Sequence, residues 1–339
     1  MLSNQIATSN IKMKTYQQLW QSLTPLYDAG EAQAIVRTVL DVEYGMTLTD
    51  IIGGKVNELS ADEGRKLEEI IIRLQKGEPV QYVLGEADFA GRTFHVEPGV
   101  LIPRPETAEL CQWIEKDMIE KSIVSSGDSS EDSSGNSPQA TDDARLILDI
   151  CTGSGCIAIT LGLNIPNSEV TGWDISEDAL RIAQGNVEMM KAGNVRIEHQ
   201  DALALPKAAE TDNKKMKGND DKEVVKPKGE AKTPSTQKWD LIVSNPPYIC
   251  EKEKADMEKN VLEHEPSLAL FVPDEDPLKF YRAIAEYASS ALKSGGALYF
   301  EINPIYEKET REMLLKLDFK DIETKEDAFG KKRMMRAIK

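Results

Sequence analysis

LILDICTGSGCIAI, residues 146–159, decides the fold. Four apolar residues around one acid, Asp149, make a strand with no polar alternation, the pattern of a strand buried on both faces. Gly153 and Gly155 then let the backbone approach a ligand closely, and CIAI opens a helix whose free N–H groups face the same place. Strand, Gly-rich turn and helix in that order begin a βαβ unit.

The same alternation continues on either side. RLILDI (145–150), EVTGWDI (169–175), NVRIEHQ (194–200), WDLIVSN (239–245) and GALYFEI (296–302) are short β-rich runs. Helical stretches at 156–163, 176–192 and 276–293 separate several of them, which predicts a parallel sheet covered on both faces. FKDIE (319–323) and KKRMMRAIK (331–339) are joined only by TKEDAFG, too short for a helical crossover, so they should pair antiparallel. The expectation is an α/β fold with a seven-stranded, mostly parallel sheet and one antiparallel strand near its end.

In such sheets ligands bind beyond the carboxyl ends of the strands. Asp149, Asp174 and Asp201 all stand at strand ends, and an acid at the end of the second strand can accept both hydroxyls of a ribose. Three acids on one edge point to an adenosine-bearing cofactor. The Gly-X-Gly-X-X-Ala pattern alone fits a nicotinamide site as well as an S-adenosylmethionine site, and also a tight turn without a ligand.

The fourth strand runs into LIVSNPPYI, 241–249. Pro246 and Pro247 fix their own φ and restrict the residue before each, so Asn245 to Tyr248 form a stiff extended segment. It places a carboxamide at the cofactor edge, with a phenol three residues on. Asn245 Oδ1 and the Pro246 carbonyl could each accept one N–H of a planar NH₂ group. That would localise a delocalised lone pair for attack on an electrophilic methyl, with Tyr248 stacked on the flat substrate.

Two segments differ from the rest. Residues 123–144 are rich in Ser, Asp and Gly, and residues 207–238 are mostly charged, so both read as disordered insertions. The net charge is −17; the first insertion holds five acids and no base, the second nine bases and six acids. Only −2 therefore lies in the insertions, and the acidic remainder repels a phosphate backbone. The position of the second insertion, near the cofactor edge, would let it cover the site. Cys111, Cys151, Cys156 and Cys250 show neither metal spacing nor a disulfide framework, and no apolar run reaches membrane-spanning length. A cytoplasmic protein without a metal is expected.

Upstream, Tyr16, Leu19, Trp20 and Leu23, and again Leu67, Ile70, Ile71 and Leu74, fall at helical spacing. Ser60 and Glu63 form a capping box. This predicts a small helical domain over 1–85. ADFAGRTFHVEPGVLIP (87–103) alternates around turn residues and predicts a linking β-hairpin over 86–104. His95, His199, His264, Cys250 and Trp173 read as packing or surface residues.

Asn-Pro-Pro-Tyr after the fourth strand, with the Gly-rich loop upstream, resembles the S-adenosylmethionine-dependent methyltransferases that modify planar nitrogens. GEPVQYVLGEADFAGRTFHVEPGVLIPRPETAEL (77–110) and HEPSLALF (264–271) narrow the resemblance to the peptide chain release factor glutamine N5-methyltransferases. It covers residues 10–339 apart from the insertions. It implies a Rossmann-like methyltransferase domain over 105–339, S-adenosylmethionine as cofactor and S-adenosylhomocysteine as product. It also implies release factors as protein substrate, a monomer, and no membrane or direct nucleic-acid partner. By the same resemblance Cys151, Thr152, Gly153, Ser154, Gly155, Asp174, Asp201, Ala202 and Asn245 hold the cofactor. Asn245, Pro246, Pro247 and Tyr248 hold the glutamine, with Asn245, Pro246 and Tyr248 catalytic. Cys151 stands where the family usually has Gly, and Asn303-Pro304 where a Gly-rich segment is commoner.

Other classes remain in view. An adenine N6-methyltransferase on DNA or RNA shares the NPPY chemistry, but the acidic charge and the lack of a basic, aromatic-interleaved stripe oppose it. A nicotinamide oxidoreductase needs no NPPY. A non-catalytic binding protein would not need Asn245.

Overall fold

The computed structural model describes residues 14–127, 144–205 and 238–339, without side chains for 121–127. The two expected insertions lie outside the described residues over 128–143 and 206–237. The chain divides into two units, residues 1–86 with 258–264, and residues 87–257 with 265–339.

The apolar stripes of the first unit close on one another. Its helices are α1 (Tyr16–Gln21), α2 (Ala29–Tyr44), α3 (Leu48–Ile52), α4 (Ala61–Leu74) and α5 (Val80–Leu84). Thr15, Asp28, Thr47 and Ser60 cap the first four through side-chain oxygens, and Ser60 with Glu63 forms the box read from the sequence. Leu19, Leu23, Val36, Leu40, Leu67, Ile70, Ile71 and Leu74 share one buried cluster. Burying each such side chain contributes roughly 1.5–3 kcal/mol, more than the helices' own propensity supplies.

The second unit opens with a hairpin, β1 (Glu86–Phe89) and β2 (Arg92–His95). The hairpin expected over 86–104 is thus shorter. Past His95 no strand forms, because Pro98 and Pro103 lack a ladder donor and Gly99 adopts φ +124° against Asp178. Helix α6 (Pro105–Gly127) follows and carries helical structure into the first residues expected to be disordered.

The main sheet contains β3 (Arg145–Ile150), β4 (Ser168–Asp174), β5 (Val195–His199), β6 (Trp239–Ser244), β9 (Leu292–Glu301), β10 (Lys320–Glu326) and β11 (Lys332–Ile338). Between β6 and β9 in the chain, β7 (Ile249–Cys250) and β8 (Phe271–Val272) form a separate parallel pair. The main order is β10-β11-β9-β6-β3-β4-β5. β3 pairs parallel with β4 and β6, β4 with β5, and β6 with β9; β11 lies antiparallel between β9 and β10. The expected seven strands with one antiparallel member are all present. β9 begins four residues before the predicted GALYFEI run, and the preceding helix is correspondingly shorter, Lys279–Ala291.

Alternate strand residues enter opposite cores. Ile147, Leu241, Val243, Ala297 and Tyr299 pack with α6 and α7 (Cys156–Asn164). Leu148, Ile150, Ile242, Leu298 and Phe300 pack with the helix Lys279–Ala291. Trp239 breaks the parity through a register shift before Leu241, and joins Trp173 edge to face at 6.0 Å. Both faces are covered, so the free carboxyl edge is where a ligand site can form.

Candidate active site

The turn after β3 is held from below and from the side. Asp149 is fully buried; its Oδ2 accepts the Thr152 hydroxyl at 2.5 Å and the Ala158 amide at 3.2 Å. Its Oδ1 is buried with no hydrogen-bond partner. Burial pushes its carboxyl up to about 7, against the pull of those two donors. Thr152 donates its amide to the Trp173 carbonyl at 2.9 Å, and Gly172 leaves room for it, since a Cβ there would meet Thr152 Oγ1 at 2.8 Å.

Asp174, at the end of β4, reaches back over the loop. Its Oδ2 accepts the Gly153 amide and its Oδ1 the Ser176 amide, each at 2.9 Å. Burial raises its pKa while these backbone donors oppose the shift. α8 (Glu177–Met189) follows, and its buried Asn186 donates to the Ser154 carbonyl at 2.9 Å. Cys151 adopts φ +63°, a left-handed conformation that strains a side-chain-bearing residue and suits glycine.

These groups border a cavity of about 200 Å³. Cys151, Thr152, Gly153 and Ser154 line it from beyond β3, Asp174 from the end of β4, and Asp201 and Ala202 from beyond β5. Asn245 and Pro247 line it from beyond β6. The topology therefore brings four strand ends to one space. Gly155, Pro246 and Tyr248 do not line it. Gly155 instead caps α7 at φ +80°, and Pro246 is buried.

Tyr248 is half-buried, packed on the second core, and donates its hydroxyl to Glu301 Oε1 at 3.0 Å. Asn303 donates to its carbonyl at 3.1 Å, so the departure from a Gly-rich segment serves to hold the NPPY backbone.

The opposite wall comes from segments quoted above without assigned roles. Val100, Leu101 and Pro103 line the cavity with Arg104 and Thr107, and Leu268 and Ala269 with Pro266. Glu265, almost fully buried, ties the two stretches: it accepts the Ile102 amide at 3.2 Å and the Arg104 guanidinium at 2.5 Å. Sequence reading missed Thr107 and Glu301 as well. Asn245 Nδ2 donates to Thr107 Oγ1 at 3.2 Å, and Thr107 donates to Glu301 Oε2 at 2.5 Å. Glu301 is 2% exposed. Burial raises its pKa, while the Thr107 and Tyr248 hydroxyls and the Arg333 charge favour the ionised form. The only sequence signals were the hydroxyl inside RPET and an acid ending an otherwise apolar strand.

The site offers several unfilled features to a nucleoside ligand. A Cβ at Gly153 would meet no atom within 4 Å, so the loop backbone is open to the cavity. Ser154 Oγ, on a residue lining the cavity, is a buried polar atom without a partner. Acids, bare backbone and small side chains suit the ribose, amine and adenine of S-adenosylmethionine.

The sheet is mostly parallel and carries this cavity at its carboxyl edge, the α/β arrangement that binds nucleotide-like ligands, and residues 141–301 match the family model of a methyltransferase domain. Residues 24–85 match that of the PrmC N-terminal domain. A release factor glutamine methyltransferase of Bacteroides thetaiotaomicron is 43% identical over 94% of this chain and 96% of its own. Those of Flavobacterium psychrophilum (36%; 96% and 98%) and Streptococcus pneumoniae (34%; 86% and 86%) are similar over comparable lengths. The chain belongs to the release factor glutamine methyltransferase family.

Proposed function

We propose that this protein transfers a methyl group from S-adenosylmethionine to the side-chain amide nitrogen of the glutamine in the Gly-Gly-Gln motif of peptide chain release factors. The observation that carries this reading is the Asn245 carboxamide. Its nitrogen is engaged by Thr107, which leaves Oδ1 as the free polar atom of a residue lining the same cavity as the Gly-rich loop.

The cofactor would be held by Cys151 to Ser154, Asp174, Asp201 and Ala202, with Gly155 turning the chain into α7 behind them. When bound, S-adenosylmethionine supplies an electrophilic methyl group on a sulfonium. The remaining work falls to this chain. An amide nitrogen is a weak nucleophile because its lone pair is delocalised into the carbonyl. Asn245 Oδ1 accepts one N–H of the glutamine, and the Pro246 carbonyl is the candidate acceptor for the other. Two acceptors favour a pyramidal nitrogen and the positive charge that develops on it, and because they are rigid they need little reorganisation. The nitrogen loses a proton once the N–C bond forms, so no strong base is required. Tyr248, by way of its hydrogen bond to Glu301, stiffens the segment.

The test offers methyl-labelled cofactor with either a release factor or nucleic acid. Label should enter the release factor alone, and substitution of its Gly-Gly-Gln glutamine by alanine should abolish the uptake. Label on nucleic acid instead would favour an adenine N6-methyltransferase and overturn this reading.

A further inference from the structure

The two ends of a carboxamide are nearly the same size, yet only the oxygen can accept an N–H. An Asn245 turned by 180° would present NH₂ to the substrate's NH₂, donor against donor. Something must choose the end, and Asn245 cannot do so by shape.

The choice is made two residues away. Glu301, as a carboxylate, has acceptors only. Both of its oxygens are used, Oε2 by Thr107 and Oε1 by Tyr248. Thr107 owns a single hydroxyl proton, and Glu301 takes it at 2.5 Å. The Thr107 oxygen can then only accept, so the group facing it at 3.2 Å must be the Asn245 NH₂. We propose that Glu301 and Thr107 are positioning residues that set which end of the Asn245 carboxamide meets the substrate. Thr107 is 2% exposed, so water does not compete for its oxygen. Chains of hydrogen bonds also polarise one another, and a hydroxyl that donates to a carboxylate accepts more strongly.

The backbone supports the relay at both ends. Glu301 ends β9, whose neighbour in the sheet is β6, and Asn245 follows directly on β6. The Glu301 carbonyl accepts the Tyr281 hydroxyl at 3.1 Å, and that hydroxyl accepts the Asn303 amide at 3.1 Å. Thr107 lies in the first turn of α6, three residues beyond Arg104, which Glu265 holds. Neither relay residue needs to touch the cofactor for the relay to act.

This inference rests on the role proposed for Asn245, and the experiment separates the two. Thr107→Val keeps the shape and removes both hydrogen bonds. In the full-length protein kcat for release-factor methylation should fall about tenfold or more, as misaligned groups do. KM for the release factor should stay within about threefold, since the rest of that surface is untouched. Cofactor affinity, read by calorimetry, should fall by a much smaller factor than kcat, because Thr107 also lines the cavity but the Gly-rich loop and Asp174 are untouched. Thr107→Ser, which keeps the hydroxyl, should recover most of the lost rate, and Glu301→Gln should lower kcat in the same selective way. A merely structural role would lower the unfolding midpoint and spare the kcat of the folded fraction. If Thr107→Val and Glu301→Gln both retain kcat while Asn245→Ala abolishes it, the relay is wrong and the Asn245 role stands. If Asn245→Ala also retains kcat, both are wrong.

Discussion

The Arg104 guanidinium donates to the Glu265 carboxylate at 2.5 Å, across 161 residues of chain. The pair joins the stretch before α6 to the segment after NPPY, and both stretches line the cavity. Glu265 also accepts the Ile102 amide. Glu265→Ala therefore strands a guanidinium and a buried N–H at once. It should cost about 3 kcal/mol, in the range for breaking a buried pair. Chemical denaturation of the two proteins measures this; a loss under about 1 kcal/mol would show that solvent already satisfies these donors.

Asn245→Ala removes the acceptor but leaves the Gly-rich loop and Asp174 in place. Turnover should fall by well over tenfold, as when a preorganised polar group is removed. Cofactor affinity should change by less than about threefold, because the loop contacts remain. Single-turnover methylation and calorimetric titration read the two quantities separately.

Cys151 sits at φ +63°. Cys151→Gly relieves backbone strain but loosens the unfolded chain, and the two effects nearly offset, so stability should change by less than about 1 kcal/mol. Cys151→Val places a β-branched residue in the left-handed region and should cost about 2 kcal/mol or more. Equal stability of the two variants would show that the turn does not hold that conformation.

Burial raises the Asp149 carboxyl to about 7, well above an unfolded aspartate. A raised acid pKa means that the folded state holds the proton more tightly. The stabilisation is fully present below pH ~4 and is lost as pH rises through about 7. Asp149→Asn removes this dependence. Between pH 5 and 8 the wild-type protein should lose roughly 2–3 kcal/mol relative to the variant. Denaturation at the two pH values tests the sign; a constant difference would mean that Asp149 titrates alike in both states.

Much of the site was legible because it is local. Cys151 to Ser154 belong to one strand–turn–helix, Asp174 ends a strand of the same alternating pattern and Asn245 follows another. Parallel topology then forces all of these ends to one edge. Thr107 and Glu301 were not legible as a pair, being 194 residues apart. Only the placement of β9 beside β6, with α6 across it, makes them neighbours, and no spacing rule encodes that. The hairpin was read too long because alternation continues through VEPGVLIP, while the two prolines remove the donors a ladder needs. The depth of Tyr248 was hidden for a similar reason. A phenol beside two prolines suggests a stacking surface, but the acid that holds its hydroxyl stands 53 residues away.

The most direct measurement is fragmentation mass spectrometry of the release factor's Gly-Gly-Gln peptide after incubation with this protein and S-adenosylmethionine. The account expects one added methyl group on the glutamine side-chain amide, absent when Asn245→Ala replaces the wild-type protein. An unmodified glutamine, or a methyl group on any other residue, would contradict it.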